Sequence, residues 1–198
     1  DDTQERTTGG VHGLGAKLTA IFSKSFTVET AKNGKKYIQT FTDNLSKISK
    51  PKITDCTDEY TKITFIPDFE KFGITGINDF TNSILEKRVL DLCAITPKNV
   101  AVHLNGQKMK VKDFSEYISL YLGDKKTCPR VIQENERWSV AIAPSEEGFQ
   151  CVSFVNGIYT CDGGSHVEHV IGPIIKKLTE MIQEKNKGIT IKPQYIRD

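Results

Sequence analysis

Along the chain the spacing of apolar positions changes several times, and each change marks an element. From about Gly15 the residues Leu18, Ile21 and Phe22 recur at helical spacing, which predicts a short first helix. Two strand-like runs, Phe26-Thr27-Val28-Glu29-Thr30 and Lys36-Tyr37-Ile38-Gln39-Thr40-Phe41, then flank Asn33-Gly34, a dipeptide that tolerates positive φ and so favours a two-residue hairpin turn. Residues 46–60 are polar, are broken by Pro51 and read as a loop with room for an edge strand near Ile53. Tyr60 to Asp68 alternates apolar and polar residues until Pro67 stops it, the pattern of a further strand.

A second helical stretch begins after Thr75 or Asn78, either of which suits an N-cap, and runs to about Ala94. Its expected buried side carries Phe80, Ile84, Leu85, Val89 and Leu92. Val100–Leu104 then meets Gln107–Val111 across a second Asn-Gly pair, Asn105-Gly106. Two hairpins and two helices around one sheet make an α+β layer, in which His103 reads as a strand-surface residue. Asp113–Leu122, with Phe114, Tyr117, Ile118 and Tyr121 at helical spacing, predicts a connecting helix. Gly123–Arg130 has no periodicity, so a domain boundary is expected between about Val111 and Arg130, dividing the chain into 1–112 and 113–198.

The second domain opens on two strand-like runs, Arg137–Ala143 and Gly148–Asn156. Ser165 with Glu168 then has the spacing of a capping box, and Val167, Val170, Ile171, Ile174, Ile175, Leu178 and Ile182 form one apolar stripe. Gly188 is expected to end this helix as a C′ residue. Pro173 removes one of its hydrogen bonds, at about 3 kcal/mol in an unadapted helix, so a kink is expected near His169. Ile189–Lys192 reads as a final strand.

Composition narrows the class. The 198 residues are 37% hydrophobic and 26% charged, as in an ordinary globular protein, and the formal charge of +2 is too small to imply a nucleic-acid partner without local clustering. No apolar run approaches the roughly 18 residues that span a bilayer, and no amino-terminal signal pattern appears; an intracellular protein without membrane partners is expected. Five cysteines at irregular spacing, an odd number, read as reduced thiols. Cys161, Asp162, His166 and His169 are grouped, but no second ligand pair stands at zinc spacing, and no metal site is assigned.

The candidate chemistry lies near the amino end. Gly9-Gly10-Val11-His12-Gly13-Leu14-Gly15-Ala16-Lys17 places four glycines among nine residues just ahead of the first helix. Such a backbone turns tightly and can aim successive N–H groups, together with the positive end of a helix dipole, at an anion. Lys17, unfavourable against that dipole alone, suits a site that holds a polyphosphate.

Thr8 to Lys17 resembles the ATP lid of the gyrase, heat-shock-90, histidine-kinase and mismatch-repair ATPase superfamily, specifically that of type IIA DNA topoisomerases. Eukaryotic members usually read Gly-Gly-Arg-Asn-Gly-Tyr-Gly-Ala-Lys, and bacterial gyrase reads closer to Gly-Gly-Leu-His-Gly-Val-Gly-Ala. Val11, His12 and Leu14 follow the gyrase pattern, whereas Lys17 follows the eukaryotic one. Pro67-Asp68, Phe69 and Phe72-Gly73 resemble the segment after the lid. Ser153-Phe154-Val155-Asn156-Gly157-Ile158, Gly163-Gly164, His166-Val167, Lys185-Asn186-Lys187-Gly188 and Lys192-Pro193 resemble the transducer domain of eukaryotic members.

The resemblance implies an α+β chain: the C-terminal part of a superfamily ATPase sandwich over 1–112, then an incomplete ribosomal-S5-domain-2-like transducer over 113–198. It implies ATP and Mg2+ as cofactors, with Gly10, Val11, His12, Gly13, Leu14, Gly15, Ala16 and Lys17 binding the nucleotide. It further implies a homodimer that passes one DNA duplex through another, in the nucleus or in a viral replication compartment. The catalytic Glu and Mg-binding Asn of the superfamily are expected upstream of Asp1, leaving the fragment without catalytic or metal-binding residues and inactive alone. Family members often carry three lysines at the end of the long helix; here those positions are Gln183, Glu184 and Lys185, so Lys185 and Lys187 are the expected DNA contacts. Two other readings are a mismatch-repair or chaperone-type ATPase clamp, against which the Ser153–Ile158 and Gly163–Val167 motifs argue, and a nonenzymatic nucleic-acid-binding module.

Overall fold

In the computed structural model, which describes residues 8–188 and 190–197, Asn33 and Gly34 take positive φ of 52° and 78°. They fold β1 (Ser23–Lys32) back onto β2 (Lys35–Thr42), in antiparallel register from Lys32↔Lys35 to Ser25↔Thr42. The alternating run becomes β5 (Tyr60–Pro67), antiparallel to β1 on its other side. β3 (Lys47–Ile48) and β4 (Lys52–Asp55) both pair with β2, giving a five-stranded sheet of order β3-β2-β1-β5 with β4 off that path. Phe26, 3% exposed, stands between its register partners Phe41 and Phe65, with ring centroids 6.4 and 6.5 Å away. Such cross-strand aromatic pairs on one face are the unit that stabilises a sheet. Helix α1 (Leu14–Ile21) precedes β1, with Ala20 buried. These elements belong to one compact unit, Gly10–Asp79.

The second unit gathers the described residues from Phe80 onward together with Thr8 and Gly9. It contains α2 (Asp79–Ile95), α3 (Phe114–Leu122), α4 (Ser165–Lys185) and α5 (Gln194–Arg197). Three two-stranded ladders join them: β6 (His103–Leu104) with β7 (Gln107–Lys108), β8 (Val131–Glu134) with β9 (Ser139–Ile142), and β10 (Phe154–Val155) with β11 (Ile158–Tyr159). Asn105-Gly106 and Asn156-Gly157 make the first and third turns with positive φ at both residues.

Several expectations are revised. The β6–β7 hairpin is a separate ladder and does not extend the first sheet, because only two residue pairs form before Lys110 bends away. On α2 the expected core residues Phe80, Ile84 and Leu85 are 74%, 52% and 50% exposed, while Asp91 and Cys93 are buried. A buried carboxylate needs partners, and Asp91 has them: Lys87 Nζ donates to its two oxygens at 3.0 and 2.8 Å, and the Tyr117 hydroxyl donates at 2.7 Å. Tyr117, 1% exposed, also meets the Tyr121 hydroxyl at 3.0 Å.

The capping box at α4 does not form. Gly164, with φ of 148°, is the N-cap, its carbonyl accepts from the Val167 and Glu168 amides, and the Glu168 carboxylate pairs with Arg197. The helix runs without a break through Pro173 and ends at Lys185, where the Asn186 side chain donates to the Ile182 carbonyl; it stops before Gly188. Of the expected final strand, Ile189 lies outside the described residues, and 190–192 are not strand.

Candidate functional site

The glycine loop reaches α1 through bends at 11–13, and Gly13 is the N-cap, with left-handed φ 63° and ψ 23°. An L-residue with a side chain pays roughly 1–2 kcal/mol to stand there. No side chain caps the helix, so the amides of Gly13, Leu14, Gly15 and Ala16, which precede the first intrahelical donor, depend on water or an external anion for partners. Every residue from Gly10 to Lys17 is exposed. Lys17 has no salt-bridge partner among the described residues. Space is open as well: a Cβ at Gly10, Gly13 or Gly15 would meet nothing within 4 Å.

The glycines are therefore not equivalent. Only Gly13 of the run has a positive φ; Gly15 sits inside α1, so backbone conformation does not demand glycine there. Gly9 is needed for another reason. A methyl group on it would lie 2.2 Å from Ile158 Cγ1 and 3.1 Å from the Asn156 carbonyl, so its backbone approaches the β10–β11 turn more closely than any Cβ allows. That contact joins residues far apart in the sequence, and the motif does not reveal it.

The second expected site is the far end of α4. Lys185 is its last residue and Lys187 lies in the following turn; both are exposed, as are Gln183 and Glu184. A helix C-terminus favours cations. The grouped Cys161, Asp162, His166 and His169 go to different neighbours: His166 Nε2 lies 3.3 Å from Thr160 Oγ1, the His169 ring 6.0 Å from Trp138, and the Cys161 thiol donates to Asp162 at 3.5 Å.

Two anchors escaped the sequence reading because their signals are single arginines. Arg88 donates to the Gly157 carbonyl at 2.9 Å, tying α2 to the β10–β11 turn. Arg197 holds Glu168 through two hydrogen bonds of 3.0 and 2.6 Å and lies 4.8 Å from the centroid of Phe149. The paired guanidinium keeps the Glu168 carboxyl below its usual range. Burial, reinforced by the hydrogen bonds to Tyr121 and Asp91, pushes the Tyr117 hydroxyl well up.

Comparison with known proteins shows the family of the chain. The profile described as DNA gyrase B matches residues 95–198. The chain is 41% identical to DNA topoisomerase 2 of Arabidopsis thaliana over 209 residues, covering 100% of the chain and 14% of that relative. It superposes on the ATPase region of Saccharomyces cerevisiae topoisomerase II with a TM-score of 0.88 at 37% identity, and on the ATPase and transducer domains of the Balamuthia mandrillaris enzyme with 0.91 at 34%. Both alignments cover 100% of this chain and 52% of the solved chain. The mixed helix-and-sheet fold is thus that of a type II topoisomerase ATPase and transducer region. The chain belongs to the DNA gyrase B family, and it spans about one-seventh of the length of its topoisomerase 2 relative.

Proposed function

We propose that the chain is the lid-to-transducer part of an ATP-dependent type II DNA topoisomerase, a homodimer that couples nucleotide-driven gate closure to passage of one duplex through another. The observation that carries this is the exposed Gly10–Lys17 run, which opens onto an N-terminus of α1 without a side-chain cap, in a chain matched end to end by topoisomerase ATPase regions. The open space above Gly10, Gly13 and Gly15 and the free first-turn amides fit a triphosphate, with Lys17 supplying positive charge.

In this reading residues 1–112 complete the ATPase domain and 113–198 form part of the transducer. The catalytic Glu and the Asn that holds Mg2+ belong to the segment upstream, and ATP hydrolysis is their chemistry. This chain binds and orients the phosphates, while Lys185 and Lys187 face duplex DNA. The setting is the nucleus, or the replication compartment of a large DNA virus.

The test is Lys17→Ala in the full-length protein. ATP affinity and ATP-dependent strand passage are expected to fall, the charge-assisted contact being worth ~1.5–3 kcal/mol, while DNA binding without nucleotide persists. Unchanged ATP affinity and turnover would remove the lid assignment.

A further inference from the structure

The most unusual backbone in the lid-bearing unit lies away from the glycine loop, in the turn between β2 and β3. Asp43, Asn44 and Leu45 are consecutive non-glycine residues in the left-handed region, with φ of 51°, 56° and 70°. Asparagine and aspartate visit that region through local hydrogen bonds; leucine gains nothing from it, and such a run persists only where its surroundings over-determine it.

Here the surroundings are the exit of α1. The Asn44 side-chain amide donates one hydrogen to the Ile21 carbonyl at 2.9 Å and the other to Asp68 Oδ2 at 3.1 Å. The Asp68 backbone N–H donates to the Phe22 carbonyl at 2.9 Å, and the Asn44 and Asp43 amides donate to Ser23 and Lys24 at 3.2 and 3.1 Å. Two carbonyls that the helix exit leaves without intrahelical partners are thus closed by a side chain and a neighbouring backbone amide, and the two residues supplying them bond each other. The Asn44 amide orientation follows from the network, since turning its oxygen inward would set it against two acceptors.

Asp68 itself is 8% exposed, and its Oδ1 has no hydrogen bond among the described residues; Lys24 Nζ comes no nearer than 4.0 Å. Burying a half-satisfied carboxylate is costly, so its place at the end of β5 points to a purpose beyond filling space.

We propose that Asn44 and Asp68 form a clamp on the exit of the lid helix, and that Asn44 is a positioning residue for nucleotide. The proposal rests on the lid reading above and deepens it. Helix α1 has eight residues, about 12 Å of length, so a tilt of about 10° at its exit moves its entrance by about 2 Å. Fixing Ile21 and Phe22 therefore sets where the amides of Gly13 to Ala16 and the Lys17 side chain meet the phosphates.

Asn44→Asp keeps size and tolerance of positive φ, removes both donors and places a charge beside Asp68. Asn44→Gly also removes the donors while relieving the left-handed strain. In the full-length protein both are expected to raise the KM for ATP about tenfold, with kcat within about twofold of wild type. Hydrogen exchange of residues 14–22 is expected to quicken, and Asn44→Gly is expected to keep its Tm. If Asn44→Asp does not fold, Asn44→Gly alone decides. An unchanged KM, whether or not Tm falls, while Lys17→Ala still weakens ATP binding, overturns the clamp and leaves the lid reading standing. An unchanged KM in all three variants overturns the lid reading and the clamp with it.

Discussion

Gly13, Gly15 and Gly9 show how one residue type serves three physical ends within seven positions. Gly13 supplies a left-handed N-cap, Gly15 lies within a helix in open space, and Gly9 makes room for Ile158. Without nucleotide, Gly13→Ala is expected to destabilise the protein by about 1–2 kcal/mol. Gly15→Ala is expected to stabilise it by roughly 0.5–1 kcal/mol through helix propensity. Urea unfolding of both variants checks the pair. With ATP present the order changes: Gly15→Ala is expected to lose nucleotide affinity, because its added methyl occupies space that the backbone cradle leaves for phosphate. Equal ATP affinity in Gly15→Ala and wild type would show that the phosphates do not approach Gly15. The glycine run itself stood out in the sequence, since glycine spacing is a local property. The separate duties did not, because φ at Gly13 and the nearness of Ile158 to Gly9 are set by tertiary structure.

At the scale of elements, the segments with local signals were readable. Asn33-Gly34 and Asn105-Gly106 turn hairpins as their chemistry directs, and Asp113 caps α3 by accepting from the Glu116 amide at 2.9 Å. The third such turn, Asn156-Gly157, was overlooked because apolar residues run through both of its flanks. Asp91 illustrates the opposite limit: periodicity assigns polar positions to the solvent face, yet this carboxylate is buried by partners on α2 and α3. Tyr117→Phe withdraws the hydroxyl from Asp91 and is expected to cost about 1–3 kcal/mol in urea unfolding. The pH dependence has a definite sign. Burial and the contacts with Tyr121 and Asp91 raise the folded pKa of Tyr117 above its unfolded value, which lies near 10. Its contribution is complete below about pH 10 and is lost as pH rises beyond it. Unfolding curves between about pH 8 and 11 should show this loss in wild type and a smaller one in Tyr117→Phe; parallel curves would exclude the hydroxyl as its source.

For the whole molecule, topoisomerase motifs spread from Thr8 to Pro193 gave the family before any coordinates, and the structural matches extend across the full chain. The strength of the proposed DNA contact is a matter of charge placement. Gln183→Lys with Glu184→Lys adds three units of charge at the exposed end of α4, one from the first change and two from the second. In the full-length protein, DNA-stimulated ATP hydrolysis should rise, and the salt slope of DNA binding should steepen by about two if both lysines reach phosphates. If stimulation and slope both stay at wild-type values, this helix end lies away from DNA.

The place of Asp68 has a consequence in time. β1 and β2 are joined by a two-residue turn, a connection of the kind that closes within about 1–10 μs. β5 reaches β1 only across the long segment that carries β3 and β4, a slower closure. Because Asp68 follows the last residue of β5, the bonds to Phe22 and Asn44 form only after that strand has arrived. Of the contacts on the exit of α1, the Asn44 half forms with the early hairpin and the Asp68 half is fastened last. Parting of that late half alone loosens one side of the helix exit while the hairpin and its Asn44 contact stay intact, so the stretch proposed to move over nucleotide is held by an early and a late contact together.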